Sequence, residues 1–184
     1  MVAPGQVRRV STPDLTTAEV AAIRDLMVVA FGSEGDEAFT DDDWEHAIGG
    51  LHFVLEVGSK IVGHASVVER ELHVDGRPFR TGYVEAVATA PARQGEGLGS
   101  LVMAEVTGYI RERFELGALG TGRHRFYERL GWRTWAGPSA VRTAGGDRPT
   151  PEDDGYIMVL TTTTSPQLDL TAAISCEWRP GDVW

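Results

Sequence analysis

The sequence predicts a single α+β domain, residues 1–184, in which a mixed, largely antiparallel sheet is flanked by helices. A chain of 184 residues with 42% hydrophobic residues has the length and apolar content of one domain with a substantial core. Two helical patterns come first and are followed by three short β-branched segments joined by tight turns. A glycine-rich segment then leads from the last of these into a third helix, which predicts helices packed against a strand meander.

The first two helices are predicted from their starts. Residues 16–19 (TTAE) have capping-box spacing, and apolar residues follow at helical intervals to Phe31. Thr40 can cap a second, short helix over DDDWEHAI, whose first-turn carboxylates suit the helix dipole. Asp41, Asp42 and Asp43 therefore have a structural explanation, whereas Asp36, in the glycine-flanked loop before them, has none.

The remaining elements follow from the alternation of apolar runs and turn residues. Antiparallel strands are predicted over HFVLEV, IVGHASVVERELHV and PFRTGYVEAVATA, and the third leads through PARQGEGLGS into a helix. LGALGT predicts a strand, RHRFYERL a helix closed by Gly131, and WRTW another strand. Residues 136–155 are rich in Gly, Pro and Asp and predict a long surface loop, and YIMVLTTTT predicts the last strand.

Composition excludes several classes of function. The chain has 17 Lys+Arg against 27 Asp+Glu, a net charge of −10, and Lys60 is its only lysine, which argues against a nucleic-acid surface. One cysteine, Cys176, excludes an intrachain disulfide and predicts a buried apolar residue. The five histidines lack metal-ligand spacing and are predicted to be structural or surface residues, so no metal is expected. No apolar stretch has the pattern of a signal peptide or the length of a membrane span, which predicts a soluble cytoplasmic protein.

The glycine-rich segment between the third strand and the third helix is a candidate anion site. Glycines let backbone N–H groups approach an anion, and the helix start adds free amides and the positive end of its dipole. The segment Gln94–Gly99 lacks the Walker signature and the G-x-G-x-x-G spacing, so mononucleotide and dinucleotide loops are excluded. A pyrophosphate site or a simple turn both remain compatible with the pattern.

The string [RQ]-x-x-G-x-[GA], filled by Gln94, Gly97 and Gly99 after the strand YVEAVATAP, resembles motif A of the GCN5-related N-acetyltransferases (GNAT), as does the order of elements. The resemblance implies the GNAT fold and acetyl-coenzyme A as co-substrate. It implies pantetheine contacts from the backbone of Val87, Ala88 and Thr89. It also implies phosphate contacts from the loop residues Arg93, Gln94, Gly95, Glu96, Gly97, Leu98, Gly99 and Ser100.

Within this superfamily the chain is most similar to the aminoglycoside 2′-N-acetyltransferases. The similarity rests on separated pieces in order: FTDDDWEHAIGG, GYVEAVA, ELGAL, FYERLGW, TPEDDG and CEWRPGDVW. It implies that Glu85 takes the amine proton through water, that Tyr127 protonates the thiolate, and that a backbone N–H near Val87 binds the oxyanion. A strand salt bridge for Glu85 and a core position for Tyr127 are the structural alternatives.

The family resemblance also implies a polycationic aminoglycoside held by carboxylates. The implied contacts are Asp36, Glu85, Asp153, Asp154, Asp182 and the terminal Trp184, with Gly120 contributing backbone only because family members often carry Ser after the LGAL strand. A homodimer is expected from the family. Two alternatives stay open, namely acetyl transfer to another amine (an amino sugar, polyamine or peptide) and a non-catalytic acetyl-coenzyme A sensor, for which Glu85 and Tyr127 would be dispensable.

Overall fold

The computed structural model describes residues 5–32, 35 and 38–184, which form two compact units. The first unit comprises the described residues of 1–68 together with 84–106, and the second comprises 69–83 with 107–184. The elements are α1 (Thr17–Phe31), α2 (Asp41–Ala47), α3 (Leu98–Arg113), α4 (His124–Glu128), β1 (Val7–Ser11), β2 (Leu51–Val57), β3 (Lys60–Val74), β4 (Arg77–Thr89), β5 (Leu116–Gly120), β6 (Arg133–Thr134), β7 (Ser139–Thr143), β8 (Gly146–Pro149), β9 (Ile157–Thr161) and β10 (Ile174–Glu177).

The first unit contains the strands β1 and β2 and the early part of β3, paired antiparallel in that order. Both predicted helix caps are present: Thr16 and Glu19 form a capping box on α1, and Thr40 and Asp43 form one on α2. Apolar side chains of α1 and α2, among them Ile23 and Trp44, are buried with residues of the strands in one core. The structural explanation of the α2 carboxylates is therefore confirmed for Asp43.

The strands of the second unit lie in the order β6-β9-β5-β4-β3-β10-β7-β8. β3 and β4 contribute to this unit the residues on either side of the Asp75-Gly76 turn. The β4–β5 and β7–β10 pairs are parallel, while β5–β9, β6–β9, β3–β10 and β7–β8 are antiparallel. The prediction of a mixed, largely antiparallel sheet flanked by helices is confirmed.

Two glycines face each other across β4 and β5 in the second unit. Gly82 pairs with Gly117, and a Cβ on Gly82 would lie 2.8 Å from the Phe114 ring, while one on Gly117 would lie 3.0 Å from Ile110. These distances are shorter than van der Waals contact. The pair therefore lets the end of α3 pack directly on the two strands.

Residues 136–155 correct the sequence prediction. They were expected to be a surface loop, but they contain the β7–β8 hairpin, and β7 pairs in parallel with β10. The apolar content of β7 is low because Val141 is its only large apolar residue, and Ser139 is buried through hydrogen bonds instead. β1 and β10 were not predicted either, since each has few apolar residues and no flanking turn signal.

Candidate active site

The glycine loop lies in the first unit, between the end of β4 and α3. A backbone bond from Ala90 N to Val62 O (2.9 Å) ties its start to β3. Gly95 and Gly97 have φ values of 87° and 82°, and a Cβ on either would meet no atom within 4 Å. Glycine is therefore required there by the left-handed backbone rather than by lack of space.

This conformation leaves a row of amide donors without protein acceptors. In the described chain, no backbone carbonyl accepts from the N–H groups of Gly95, Gly97 or the first three residues of α3 (Leu98, Gly99 and Ser100). The first helical bond at this end runs from Leu101 N to Gly97 O at 3.1 Å. Free amides at the positive end of a 16-residue helix fit the pyrophosphate of a coenzyme.

Arg93 does not add free positive charge to this loop. Its Nε lies 3.1 Å and its Nη2 2.5 Å from the Glu96 carboxylate, and this bond holds the pKa of Glu96 below its usual value. The expected contribution of Arg93 to phosphate binding is therefore balanced by Glu96. The anion capacity of the loop rests on its amides.

β4 carries a backbone irregularity between Glu85 and Val87. Ala86 has a φ of 49°, a left-handed value that costs a non-glycine residue about 1–3 kcal/mol. Period-2 alternation along a strand would place Tyr83, Glu85 and Val87 on one face, and the left-handed residue interrupts it. Tyr83 is buried, whereas Glu85 and Val87 are half-buried.

The same strand has an unpaired edge beyond Tyr83. Its register with β5 covers only Thr81–Tyr83, and among the described elements no strand pairs with Val87, Ala88 and Thr89 on the edge opposite β3. Open backbone groups on a strand edge accept an extended ligand by strand-like hydrogen bonds. This edge includes Val87, Ala88 and Thr89, the residues expected to bind pantetheine.

Tyr127 lies in the second unit, at a helix end whose geometry is fixed by Gly131. Gly131 N donates to Glu128 O (3.0 Å) and Trp132 N donates to Tyr127 O (3.2 Å), which are the two bonds of a Schellman motif. Gly131 has a φ of 92°, as its predicted role in ending the helix requires. The motif holds the backbone of Tyr127 in place.

The Tyr127 ring is packed between neighbours. Its centroid lies 4.9 Å from that of Phe126 and 6.2 Å from that of Trp132, both edge-on. Burial raises the pKa of Tyr127 to about 12, so the hydroxyl is protonated at neutral pH. Tyr127 therefore has a core position. Its hydroxyl also carries the proton that a general acid must supply.

The acidic residues predicted to bind substrate differ in burial and in hydrogen bonding. Asp153 is half-buried, and burial, followed by the nearby Glu152, raises its pKa. Asp182, another of the predicted residues, is also among the charges that act on Asp153. Asp154 has a structural contact, because its Oδ1 accepts from Ser139 N at 2.8 Å.

Trp184 is anchored in the second unit. Its indole N–H donates to Thr150 Oγ1 (3.0 Å), and Cys176 Sγ donates to the neighbouring Val183 O (3.3 Å). The Trp184 carbonyl oxygen lies 3.7 Å from the position of a Cβ on Gly120. Docking of the tail thus brings Trp184 and Gly120 together.

Asp36 lies outside the described residues. Cys176 is fully buried, and burial raises the pKa of its thiol to about 11, which agrees with the prediction of an apolar rather than a nucleophilic role. Two histidines of the first unit, His52 and His64, were predicted with the other three to be structural or surface residues, and the structure shows them as a buried hydrogen-bonded pair. The described residues contain no His, Cys, Asp and Glu group suited to a metal.

Comparison with known proteins gives the family. Residues 12–135 match the profile of the acetyltransferase (GNAT) domain family. The chain is 41% identical over 182 residues to the aminoglycoside 2′-N-acetyltransferase of Mycolicibacterium fortuitum, covering 96% of this chain and 91% of that protein. The chain belongs to the aminoglycoside 2′-N-acetyltransferase family of GNAT acetyltransferases. It is an N-acetyltransferase that uses acetyl-coenzyme A as co-substrate.

Solved GNAT structures share the fold. A GNAT family N-acetyltransferase from Escherichia coli in complex with coenzyme A superposes with a TM-score of 0.64 at 15% identity, covering 94% of this chain and 89% of that one. A GNAT acetyltransferase from Brucella melitensis in complex with acetyl-coenzyme A superposes with a TM-score of 0.58 at 20% identity, covering 90% and 94%. None of the described helices is long and apolar enough to cross a membrane.

Proposed function

We propose that this GNAT enzyme transfers the acetyl group of acetyl-coenzyme A to the 2′-amine of aminoglycosides by direct attack of the amine on the thioester. The observation that carries the proposal is the 41% identity to an aminoglycoside 2′-N-acetyltransferase, which extends over 96% of the chain. An alignment of this extent includes the glycine loop and the acidic segment at residues 152–154.

In the first unit, the coenzyme binds to the loop amides and to the open edge of β4. The amides of Gly95, Gly97 and the start of α3 receive the pyrophosphate. The pantetheine arm pairs with the backbone of Val87, Ala88 and Thr89. The free donors of the loop and the missing strand partner of β4 support these assignments.

Glu85 serves as the base that removes a proton from the attacking amine through a water molecule. An aminoglycoside amine is mostly protonated at neutral pH, and only its neutral form attacks a carbonyl carbon. The N–H of Val87 donates to the oxyanion that forms when the amine adds to the thioester. The half-buried position of Glu85 beside the strained Ala86 supports its assignment.

Tyr127 supplies the proton that the coenzyme A thiolate takes as it leaves. Burial raises the pKa of its hydroxyl to about 12, so the proton is present at neutral pH. Asp153 and Asp182 bind ammonium groups of the antibiotic, and Trp184 contacts it as well. Asp36 and Asp154 are also proposed to contact the antibiotic. Asp154 in addition accepts a hydrogen bond from Ser139 N.

The test is thiol release from acetyl-coenzyme A with three antibiotics. Tobramycin and gentamicin carry a 2′-amine, and we expect turnover with both. Kanamycin A carries a hydroxyl at that position, and we expect no turnover with this antibiotic. Turnover with none of the three would reject the aminoglycoside assignment, and equal turnover with kanamycin A would reject the 2′ position.

A homodimer in the cytoplasm completes the proposal. It rests on the family to which the chain belongs. Sedimentation equilibrium of the purified protein tests the assembly. A mass near 40 kDa is expected, since one chain has 20.0 kDa, and a mass near that of one chain would contradict it.

A further inference from the structure

A chain of buried hydrogen bonds in the first unit ends at the irregular peptide of β4. Thr12 Oγ1 lies 2.9 Å from His52 Nε2, and His52 Nδ1 lies 2.9 Å from His64 Nε2. His64 Nδ1 lies 2.8 Å from the carbonyl oxygen of Ala86. Both imidazoles are fully buried. The chain thus connects the turn after β1 with Ala86 through two neighbouring strands.

The partners fix the direction of every bond. A carbonyl oxygen only accepts, so His64 Nδ1 carries a proton and donates it to Ala86 O. Burial lowers the pKa of His64 to about 3 and that of His52 to about 4, so both rings are neutral at pH 7. His64 Nε2 therefore accepts from His52 Nδ1–H, and His52 Nε2 accepts from the Thr12 hydroxyl.

The last bond sets the direction of an N–H group. The Ala86–Val87 peptide is trans and planar, so its C=O and its N–H point in opposite directions. Because His64 holds the oxygen of Ala86, the Val87 N–H points away from His64. The unfavourable φ of 49° at Ala86 persists only where surrounding contacts hold it, and this bond is such a contact.

We propose that His64 is a positioning residue for acetyl transfer, which holds the Ala86–Val87 peptide so that the Val87 N–H faces the developing oxyanion, while His52 and Thr12 keep His64 in the required tautomer. The inference rests on the proposed function, in which Val87 N–H is the oxyanion donor. His64 contacts neither substrate and acts through the backbone alone. The family resemblance had assigned no role to these histidines.

Kinetics of two His64 variants test the positioning role. His64→Phe fills the same space without a donor, and we expect kcat to fall at least tenfold while KM for acetyl-coenzyme A and for tobramycin stays within twofold. His64→Asn places an amide N–H near the position of Nδ1 and should restore most of kcat. His73→Phe, on the same strand but outside the hydrogen-bond chain, is the matched control and should keep kcat. Equal kcat in His64→Phe and wild type, or the lack of rescue by a folded His64→Asn, would overturn the proposal.

Nitrogen NMR of the histidine rings in the wild-type protein tests the tautomers without any substitution. We expect both His52 and His64 to be neutral with the proton on Nδ1 at pH 7, and a proton on Nε2 of either ring would overturn the inference. If wild-type protein shows no turnover with tobramycin, the proposed function fails, whereas the ring spectra still decide the hydrogen-bond chain. If wild type turns over and His64→Phe does so equally well, only the positioning role fails.

Discussion

At the scale of single residues, the proposed chemistry depends on groups whose surroundings differ from those expected of isolated side chains. Glu85 lies beside a left-handed alanine, and Tyr127 is buried with a raised pKa. Asp153 and Asp154 are adjacent in sequence, yet only Asp154 has a hydrogen bond to Ser139 N. Each of these differences gives a separate prediction.

Glu85→Gln should lower kcat by about 100-fold, because a glutamine cannot accept the amine proton. The loss should be largest at low pH, where the free amine is scarce, and should shrink as pH approaches the amine pKa. The measurement is the pH profile of kcat/KM for tobramycin. Glu69→Gln, an exposed glutamate of β3, is the control, and a parallel profile for Glu85→Gln and wild type would remove the base assignment.

Tyr127→Phe should lower kcat by about 10–100-fold with little change in thermal stability. Phenylalanine keeps the ring contacts with Phe126 and Trp132 and removes only the acid. Since burial raises the pKa of Tyr127 to about 12, loss of its proton should not limit the wild-type rate below pH 10. Thiol release together with a melting curve checks this, and an unchanged kcat would return Tyr127 to a purely core role.

Asp153→Asn and Asp154→Asn should have opposite profiles. Burial disfavours the charge of Asp153, so its removal should not lower the melting temperature, whereas it should raise KM for tobramycin. Asp154→Asn weakens the bond from Ser139 N and should cost about 1 kcal/mol of unfolding free energy. Denaturant melts and KM values of the two variants separate these effects, and a stability loss in Asp153→Asn larger than in Asp154→Asn would contradict the assignment.

At the scale of elements, helices and meander strands were predictable because each has a local signal. The capping boxes at Thr16 and Thr40 and the turn glycines at 58 and 76 set their bounds. The β7–β8 hairpin was not predictable, because its buried positions are filled by Ser139 and Val141 and its main stabilising contact is a parallel pairing with the distant β10. Pairing of this kind has no signature in a local window.

The glycine loop gives a prediction at this scale. Gly97→Ala should cost about 1–2 kcal/mol, since alanine disfavours a φ of 82°, and should raise KM for acetyl-coenzyme A. Gly76→Ala is the matched control because Gly76 has a φ of 75° and equally open surroundings in the β3–β4 turn. It should lose similar stability with an unchanged KM. An unchanged KM in Gly97→Ala would contradict the role of the loop in coenzyme binding.

The candidate site shows the same division between local and long-range information. The glycine loop and Glu85 could be proposed as site residues because the motif and the strand before it are adjacent in sequence. The histidines were predicted to be structural or surface residues, but the pairing of His52 with His64 was not predicted. Their positions on neighbouring strands of one hairpin are the signal that could have identified them, since diagonal residues of paired strands come into contact. The φ of Ala86 has no sequence signal at all.

At the scale of the whole molecule, the net charge of −10 has consequences for both substrates. A polycationic antibiotic is attracted by it, while anionic acetyl-coenzyme A must be held by local amides. Raising the salt concentration from about 50 to about 500 mM should therefore raise KM for tobramycin several-fold, because ions screen the attraction. KM for acetyl-coenzyme A should not rise with the salt concentration. Steady-state kinetics across salt concentrations measures both, and a KM for tobramycin independent of salt would contradict this electrostatic contribution.

The central claim is acetyl transfer to one nitrogen of an aminoglycoside. The most direct test is the NMR structure of the product formed from tobramycin and acetyl-coenzyme A by the purified protein. We expect one product, acetylated on the 2′-nitrogen. A product acetylated at any other amine, or recovery of unmodified tobramycin, would contradict it.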